Sequence, residues 1–185
     1  ELKQIQRKVG ITTIFVTHDQ EEALTLSDKI AVMDKGKIIQ VDTPINIYEK
    51  PINTFVASFL GEANFFEGQI VKSDDSTYVL KLHNGEIFRF NYPNKLREGD
   101  ICTLTIRPEK INLYKDAPSP LAIPGTIKFI TYAGDISSFR IDCLGQEVRV
   151  QQQNLQDAAR FNIGDKVYLD WAFESNLILD CKGDV

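Results

Sequence analysis

The chain has only two histidines, and His18 stands where a protein commonly places chemistry. It follows the apolar run Ile14, Phe15, Val16 and leads at once into the acidic, helix-forming stretch Asp19, Gln20, Glu21, Glu22. A buried strand that stops at an imidazole and passes into a helix sets that imidazole at the carboxyl edge of a sheet, where open α/β folds hold their ligands. A lone histidine after a strand is otherwise a surface or satisfied core residue, and placement alone names no reaction. The carboxylates have a structural reason of their own to be there. At the positive end of a helix dipole each gains roughly 0.3–1 kcal/mol. His18 has no comparable structural reason.

Other chemistries find less support. Cys102, Cys143 and Cys181 are odd in number and far apart, so neither a disulfide framework nor a zinc knuckle of CxxC spacing is indicated, and they read as reduced thiols. No metal site is expected. A net charge of −5 and a pI near 5.1 disfavour nonspecific nucleic-acid binding, which depends on Lys and Arg neutralising phosphates. Phe88, Phe90, Phe129 and Phe139 alternate within strand patterns, and strand aromatics of this kind read as core rather than as base-stacking platforms. The 43% hydrophobic content supplies a core, yet no run reaches the roughly 18–20 apolar residues that cross a bilayer. The opening residues ELKQIQRKVG are charged and helical in pattern rather than a signal peptide, which makes the cytoplasm the expected compartment.

The elements that must position His18 follow from periodicity. Leu2, Ile5 and Val9 recur at helical spacing up to Gly10, in a helix with no capping residue before it, as though cut from a longer domain. A strand is expected over Thr12 to Thr17 and a helix over Gln20 to Leu26. Lys29 to Met33 and Lys37 to Val41 then read as a hairpin around Asp34, Lys35 and Gly36. Thr43-Pro44 and Asn53 have the form of helix starts. Beyond Gly61 the pattern changes to short β-branched and aromatic runs. These predict strands at Ile70–Val71, Tyr78–Leu82, Ile87–Phe90, Ile101–Ile106, Thr126–Ile130, Ser138–Cys143, Glu147–Val150, Lys166–Ala172 and Asn176–Leu179, in a barrel or sandwich. A short internal repeat is also visible. Gly68 to Ile106 and Gly125 to Trp171 each read as Gly, two alternating strands, a Gly-Asp turn and a closing strand.

With these residues in place, TIFVTHDQEEAL, SDKIAVMDKGKIIQVDTPINIYEKP and NTFVASFLGEANFF resemble the C-terminal end of the ATPase subunit of bacterial ABC importers. IRPEKI at Ile106 to Ile111 resembles the most recognisable piece of the TOBE, or OB-like, extension of those subunits. The resemblance implies an α+β chain: residues 1–61 as a C-terminal α/β remnant of the ATPase domain, and residues 62–185 as an all-β OB-like (TOBE) regulatory barrel region. It implies that His18 is the switch histidine that reaches the γ-phosphate of ATP and helps hold the attacking water. Asp19 and Gln20 would be supporting or subunit-facing positions, and Glu22 surface. ATP and Mg would serve the intact parent, with permease subunits and a solute-binding protein as partners. A homodimer would form through the C-terminal domain, at the inner face of the membrane. Asp170, Trp171, Glu174 and Leu177 to Leu179 resemble the end of polyamine-importer ATPases, so spermidine or putrescine is the expected solute; iron, sulfate, thiosulfate and sugar importers use similar subunits. Trp171 reads as a core anchor.

A second use needs no catalysis. Arg107 and Glu109, on either side of Pro108, are candidates for a ligand-binding or dimerising contact, since guanidinium presents a planar fork to an anion. Pairing of Arg107 with a nearby carboxylate is the plainer alternative. The departures from the resemblance matter equally. Nowhere in the 185 residues is there a GxxxxGK[ST] phosphate loop, a strand ending in paired acidic residues or an LSGGQ-like signature. A single imidazole does not replace the backbone N–H cradle that binds phosphates, and the α/β remnant, exposing apolar surface, is expected to be disordered, self-associated or strand-swapped. The purified chain is therefore expected to release no phosphate from ATP; turnover in a sensitive phosphate assay that His18→Ala abolishes would refute this.

Overall fold

Side-chain caps start three of the four helices in the computed structural model, which describes residues 1–74, 76–154 and 161–182. The uncapped one is α1 (Leu2–Val9), which closes on Gly10 at φ 72°, the glycine N–H donating to the Gln6 carbonyl at 2.9 Å. Helix α1 buries no residue. Its Lys3 ammonium reaches the Thr25 and Ser27 carbonyls at 3.5 Å and the Asp28 carboxylate at 3.7 Å. The strand expected over Thr12 to Thr17 is not formed: these residues carry no regular structure, and Ile14 and Val16 are 90% and 92% exposed. An extended segment becomes a strand only when a neighbour takes up its N–H and C=O groups. No described strand pairs with this one.

The remainder of this unit, which spans Glu1–Gly61, has a small core. Helix α2 (Gln20–Leu26) is followed by the hairpin of β1 (Ile30–Asp34) and β2 (Lys37–Asp42). Lys35 and Gly36 turn it with φ of 46° and 76°, the paired positive values that match hairpin twist. Helix α3 (Pro44–Glu49) starts with the Thr43 hydroxyl accepting from the Asn46 N–H at 3.4 Å, and α4 (Thr54–Phe59) with Asn53 Oδ1 accepting from the Val56 N–H at 2.9 Å. Ile30, Val32, Ile47, Val56 and Leu60 are buried together, with Leu24 and Tyr48 against them.

Among its described residues the second unit, Glu62–Val185, is all β apart from two short 3-10 turns. Its strands are β3 (Asn64–Asp74), β4 (Thr77–Leu82), β5 (Ile87–Asn91), β6 (Ile101–Ile106), β7 (Asn112–Tyr114), β8 (Ile123–Tyr132), β9 (Ile136–Cys143), β10 (Gln146–Gln153), β11 (Lys166–Asp170) and β12 (Leu177–Lys182). They form two antiparallel five-stranded sheets, β12-β6-β3-β4-β5 and β10-β9-β8-β11-β7. Phe66, Leu80 and Leu104 of one sheet and Ile127, Ile141 and Val148 of the other belong to a single buried core.

The two sheets repeat each other in detail. The Gly99 N–H donates to the Ile70 carbonyl and the Gly164 N–H to the Ile127 carbonyl, both at 2.8 Å. Asp100 Oδ2 accepts from the Arg97 N–H and Asp165 Oδ2 from the Asn162 N–H, again both at 2.8 Å. Both central hairpins shift register at one place, between Ile70 and Lys72 and between Ile127 and Phe129. The last strand of each half, however, lies in the other half's sheet. Strand β7 pairs with β11 through Asn112↔Asp170, Leu113↔Leu169 and Tyr114↔Tyr168, and β12 pairs with β6 through Leu177↔Thr105, Ile178↔Leu104 and Leu179↔Thr103.

Two expectations change here. Strand β7 was absent from the sequence reading because three residues give no period to detect; pairing with β11 makes it a strand. The cysteines are not three separate thiols, since Cys102 on β6 and Cys181 on β12 are joined in a disulfide across a sequence separation of 79. Strand exchange brings them together, and spacing along the chain does not show it.

Gly68 and Gly125 hold equivalent places in β3 and β8 and have no room for a side chain. A Cβ on Gly68 would run into the Lys81 carbonyl, and one on Gly125 would lie 2.6 Å from Ile141 Cγ2. Gly68→Ala and Gly125→Ala are each expected to destabilise the chain by about 1–3 kcal/mol through overpacking, read as a lower denaturation midpoint, with Gly68→Ala the more severe because a backbone carbonyl cannot rotate away.

Candidate functional site

His18 lies between two residues that fix its backbone. The Asp19 N–H donates to Thr17 Oγ1 at 2.9 Å, Thr17 Oγ1 donates to Glu22 Oε2 at 2.7 Å, and the Glu22 N–H donates to Asp19 Oδ1 at 3.1 Å. This is a variant of the capping box, with Glu22 reaching back to a hydroxyl instead of the cap residue's own N–H. Asp19 is the N-cap of α2, at φ −85° and ψ 119°. The loop is thus tied on both sides of His18, whose side chain is exposed. The expected sheet edge is not what positions it. In its place, the start of α2 sets the direction of the imidazole's backbone.

Gln20 is the first residue of α2 and half-buried, and Glu22 is exposed but bonded as described. The structural part of Glu22 and Thr17 was missed in the sequence. The Asp-x-x-Glu spacing from Asp19 to Glu22 is the signal that shows it. Among the described residues no group of three or more His, Cys, Asp or Glu side chains is gathered as for a metal ion. What His18 offers chemically is one accessible imidazole on a tethered turn, able to donate to or accept from a partner that other residues must hold.

Arg107 and Glu109 belong to the other unit. Arg107 is only 3% exposed and its Nη1 donates to the Glu62 carbonyl at 3.1 Å. A side chain so enclosed lies within the unit and not on its surface. Glu109 is exposed on the 3-10 turn Pro108–Lys110. Near Arg107 the sheets are lashed together by groups that sequence reasoning did not single out. The Arg149 N–H donates to Asn64 Oδ1 at 2.7 Å while Asn64 Nδ2 donates to the Arg149 carbonyl at 2.8 Å, so the asparagine amide copies a strand partner. The Arg149 guanidinium pairs with the Glu62 carboxylate and lies 3.7 Å from Glu147. Glu62 is held by its carbonyl and by its carboxylate.

The strand aromatics divide. Phe88, Phe90 and Phe139 are core, whereas Phe129 is half exposed under the Arg140 guanidinium, 5.6 Å from its ring centre. Trp171 packs on the core, its ring 6.5 Å from that of Phe66, and its indole N–H donates to Asn176 Oδ1 at 2.7 Å.

Residues 104–179, from β6 to β12, match the TOBE domain. This TOBE region continues a wider likeness. The chain is 40% identical over 183 residues to the spermidine/putrescine import ATP-binding protein PotA of Thermobifida fusca, covering 97% of this chain and 47% of that protein. It is 38% identical over 189 residues to the PotA of Protochlamydia amoebophila, covering 97% and 50%. The chain thus spans about half the length of the curated relatives it matches. Among solved structures it is similar to the cytoplasmic molybdate-binding protein ModG, with a TM-score of 0.51 and 13% identity over 62% of this chain and 94% of that one. That likeness bears on the fold, an OB-like architecture for the TOBE region.

Removing the cap isolates its contribution from that of the imidazole. Asp19→Ala is expected to cost α2 about 1 kcal/mol, seen as faster amide exchange at Glu22 with no change in the TOBE region; unchanged Glu22 exchange would show that Asp19 does not hold the turn.

Proposed function

We propose that this chain carries the switch-histidine segment and the TOBE regulatory region of the ATP-hydrolysing subunit of an ABC import system for polyamines. The observation that carries the proposal is the 40% identity to a spermidine/putrescine import ATP-binding protein along 97% of the chain, which includes both the THDQEEAL turn and the β-rich region. In this reading His18 donates a hydrogen bond to the γ-phosphate and helps orient the attacking water, and the Thr17, Asp19 and Glu22 bonds keep its turn in place.

The residues of this chain do not by themselves make an ATP or magnesium site. A phosphate loop and magnesium carboxylates come from other parts of the subunit, and no step is assigned to them here. The working partners are membrane-spanning permease subunits, a solute-binding protein and a second ATPase subunit, at the cytoplasmic face of the membrane. No described helix is long and apolar enough to cross a bilayer. The TOBE region tunes or stabilises the ATPase dimer. Burial of Arg107 favours a structural part for that residue over a ligand-binding one, leaving Gln20 and Glu109 as candidate contacts to neighbouring subunits.

The test is reconstitution of the complete importer with the full-length subunit. ATP hydrolysis should rise with spermidine- or putrescine-loaded binding protein, and His18→Ala should lower it by about 10²–10³-fold, the size of effect that loss of one transition-state hydrogen-bond donor has elsewhere, while leaving subunit assembly intact. Stimulation by a sugar or an oxyanion in place of polyamine would overturn the substrate, and full activity of His18→Ala would overturn the assignment of the histidine.

A further inference from the structure

The reciprocal strand exchange offers a comparison within one molecule. The junctions β6–β12 and β11–β7 are equivalent in register, yet only the first carries a disulfide, Cys102–Cys181. Cys102 lies opposite Gly68, and its counterpart opposite Gly125 is Val167, which is 1% exposed. Strand β7 ends at Tyr114 and is followed by Lys115 and Asp116, with no cysteine. The fold therefore builds this junction without a covalent bond. The cysteine pair is an addition to the fold and not a requirement of it.

The local geometry is also particular to the pair. Leu179 faces Thr103 and Lys182 faces Ile101, so Asp180 and Cys181 together oppose Cys102, and Asp180 takes the left-handed conformation with φ 50°. This irregularity brings a cysteine at an exposed position against one that is 1% exposed. The outer residue is exposed and the inner one is buried. Cys143, the third cysteine, is 2% exposed, and burial first and Asp142 second push its thiol up to about 12. It stays protonated at neutral pH and does not compete in exchange, which needs the thiolate.

We propose that Cys102 and Cys181 form a reversible thiol–disulfide clip that fastens β12 to the first half's sheet and so sets how firmly the TOBE region is closed. In the oxidising direction the Cys181 thiolate attacks one sulfur of a low-molecular-weight disulfide, forming a mixed disulfide and releasing one small thiol. The Cys102 thiolate then attacks Cys181 Sγ, forming the protein disulfide and releasing the second small thiol. Two cysteine thiols are oxidised, one small disulfide is reduced to two thiols, and the protons lost from the cysteines go to those thiols. Reduction runs in reverse, with a small thiolate attacking Cys181 and Cys102 leaving. Disulfides of reducing compartments are commonly transient or redox-sensing rather than structural.

Clip opening removes the covalent tie but leaves the hydrogen bonds of Leu177 to Leu179 with β6. The expected consequence is looser seating of one edge strand, not unfolding. The β7–β11 junction, which has no clip, should not respond.

The test equilibrates the chain in mixtures of reduced and oxidised glutathione at neutral pH, then alkylates it under denaturing conditions for mass spectrometry and follows amide exchange in parallel. Oxidised mixtures should protect Cys102 and Cys181 and leave Cys143 to be labelled; reduced mixtures should allow labelling of all three. In reduced mixtures the amides of β12 and of Thr103 to Thr105 should exchange about tenfold faster, with Asn112 to Tyr114 unchanged. Cys181→Ser, at an exposed position, should show the faster exchange in every mixture. A pair that stays reduced throughout, or oxidised throughout, would overturn reversibility. Equal protection of β12 in both states, or equal loosening of β7, would overturn its part in seating the strand.

Discussion

The β-rich unit depends on backbone pairing that crosses between its halves. Strands β7 and β12 each leave the half that precedes them in sequence and satisfy the N–H and C=O groups of the other half's sheet. Without that exchange, β6 and β11 would each expose a row of unpaired groups, a costly and aggregation-prone edge. Two repeats that look separable along the chain thus form one folding unit with one core. Close packing of neighbouring strands makes Gly68 and Gly125 necessary, since Lys81 on β4 and Ile141 on β9 lie too near for a Cβ. Asn64 also lies beside Arg149, where a side-chain amide continues the hydrogen-bonding pattern between the sheets.

The first unit shows the opposite condition, a pairing requirement that is not met. Ile14, Phe15 and Val16 are as apolar as any strand in the chain, yet they face solvent because no described strand lies beside them. The small core forms further on, where α2, the β1–β2 hairpin, α3 and α4 enclose Val32, Ile47 and Val56. The His18 turn survives between these regions because its bonds are local. Thr17, Asp19 and Glu22 satisfy one another within six residues of chain, and such bonds need no sheet. A capped turn can therefore keep the backbone of His18 in place independently of the strand before it.

Much of the fold was legible because it is local. The Lys35-Gly36 hairpin turn and the Thr43 and Asn53 caps were read correctly from residue type, and β6 was placed at its observed bounds, since Cys102, Leu104 and Ile106 alternate with the β-branched Thr103 and Thr105. The start of β3 was missed. Asn64 to Gly68 alternates inward and outward, but one of the inward residues is a glycine, which reads as a turn until the neighbouring strand is seen to require it. Within the candidate site, His18 was legible from its neighbours, whereas the network around it was only partly so, because Glu22 reads as a surface carboxylate until its bond to Thr17 is known. The burial of Arg107 was not legible, because an arginine beside a proline gives no sign of it.

The sequence by itself determined the periodicities, the caps, the turns, the position of His18 before a helix start and the absence of a phosphate loop, all of which depend on residue type over a few positions. Tertiary structure alone decided which strands exchange, that Cys102 meets Cys181, that Arg107 is enclosed and that Ile14 and Val16 go uncovered. Those outcomes rest on which distant backbone fills an open hydrogen-bonding edge. A residue's own neighbours in the chain carry no record of that choice.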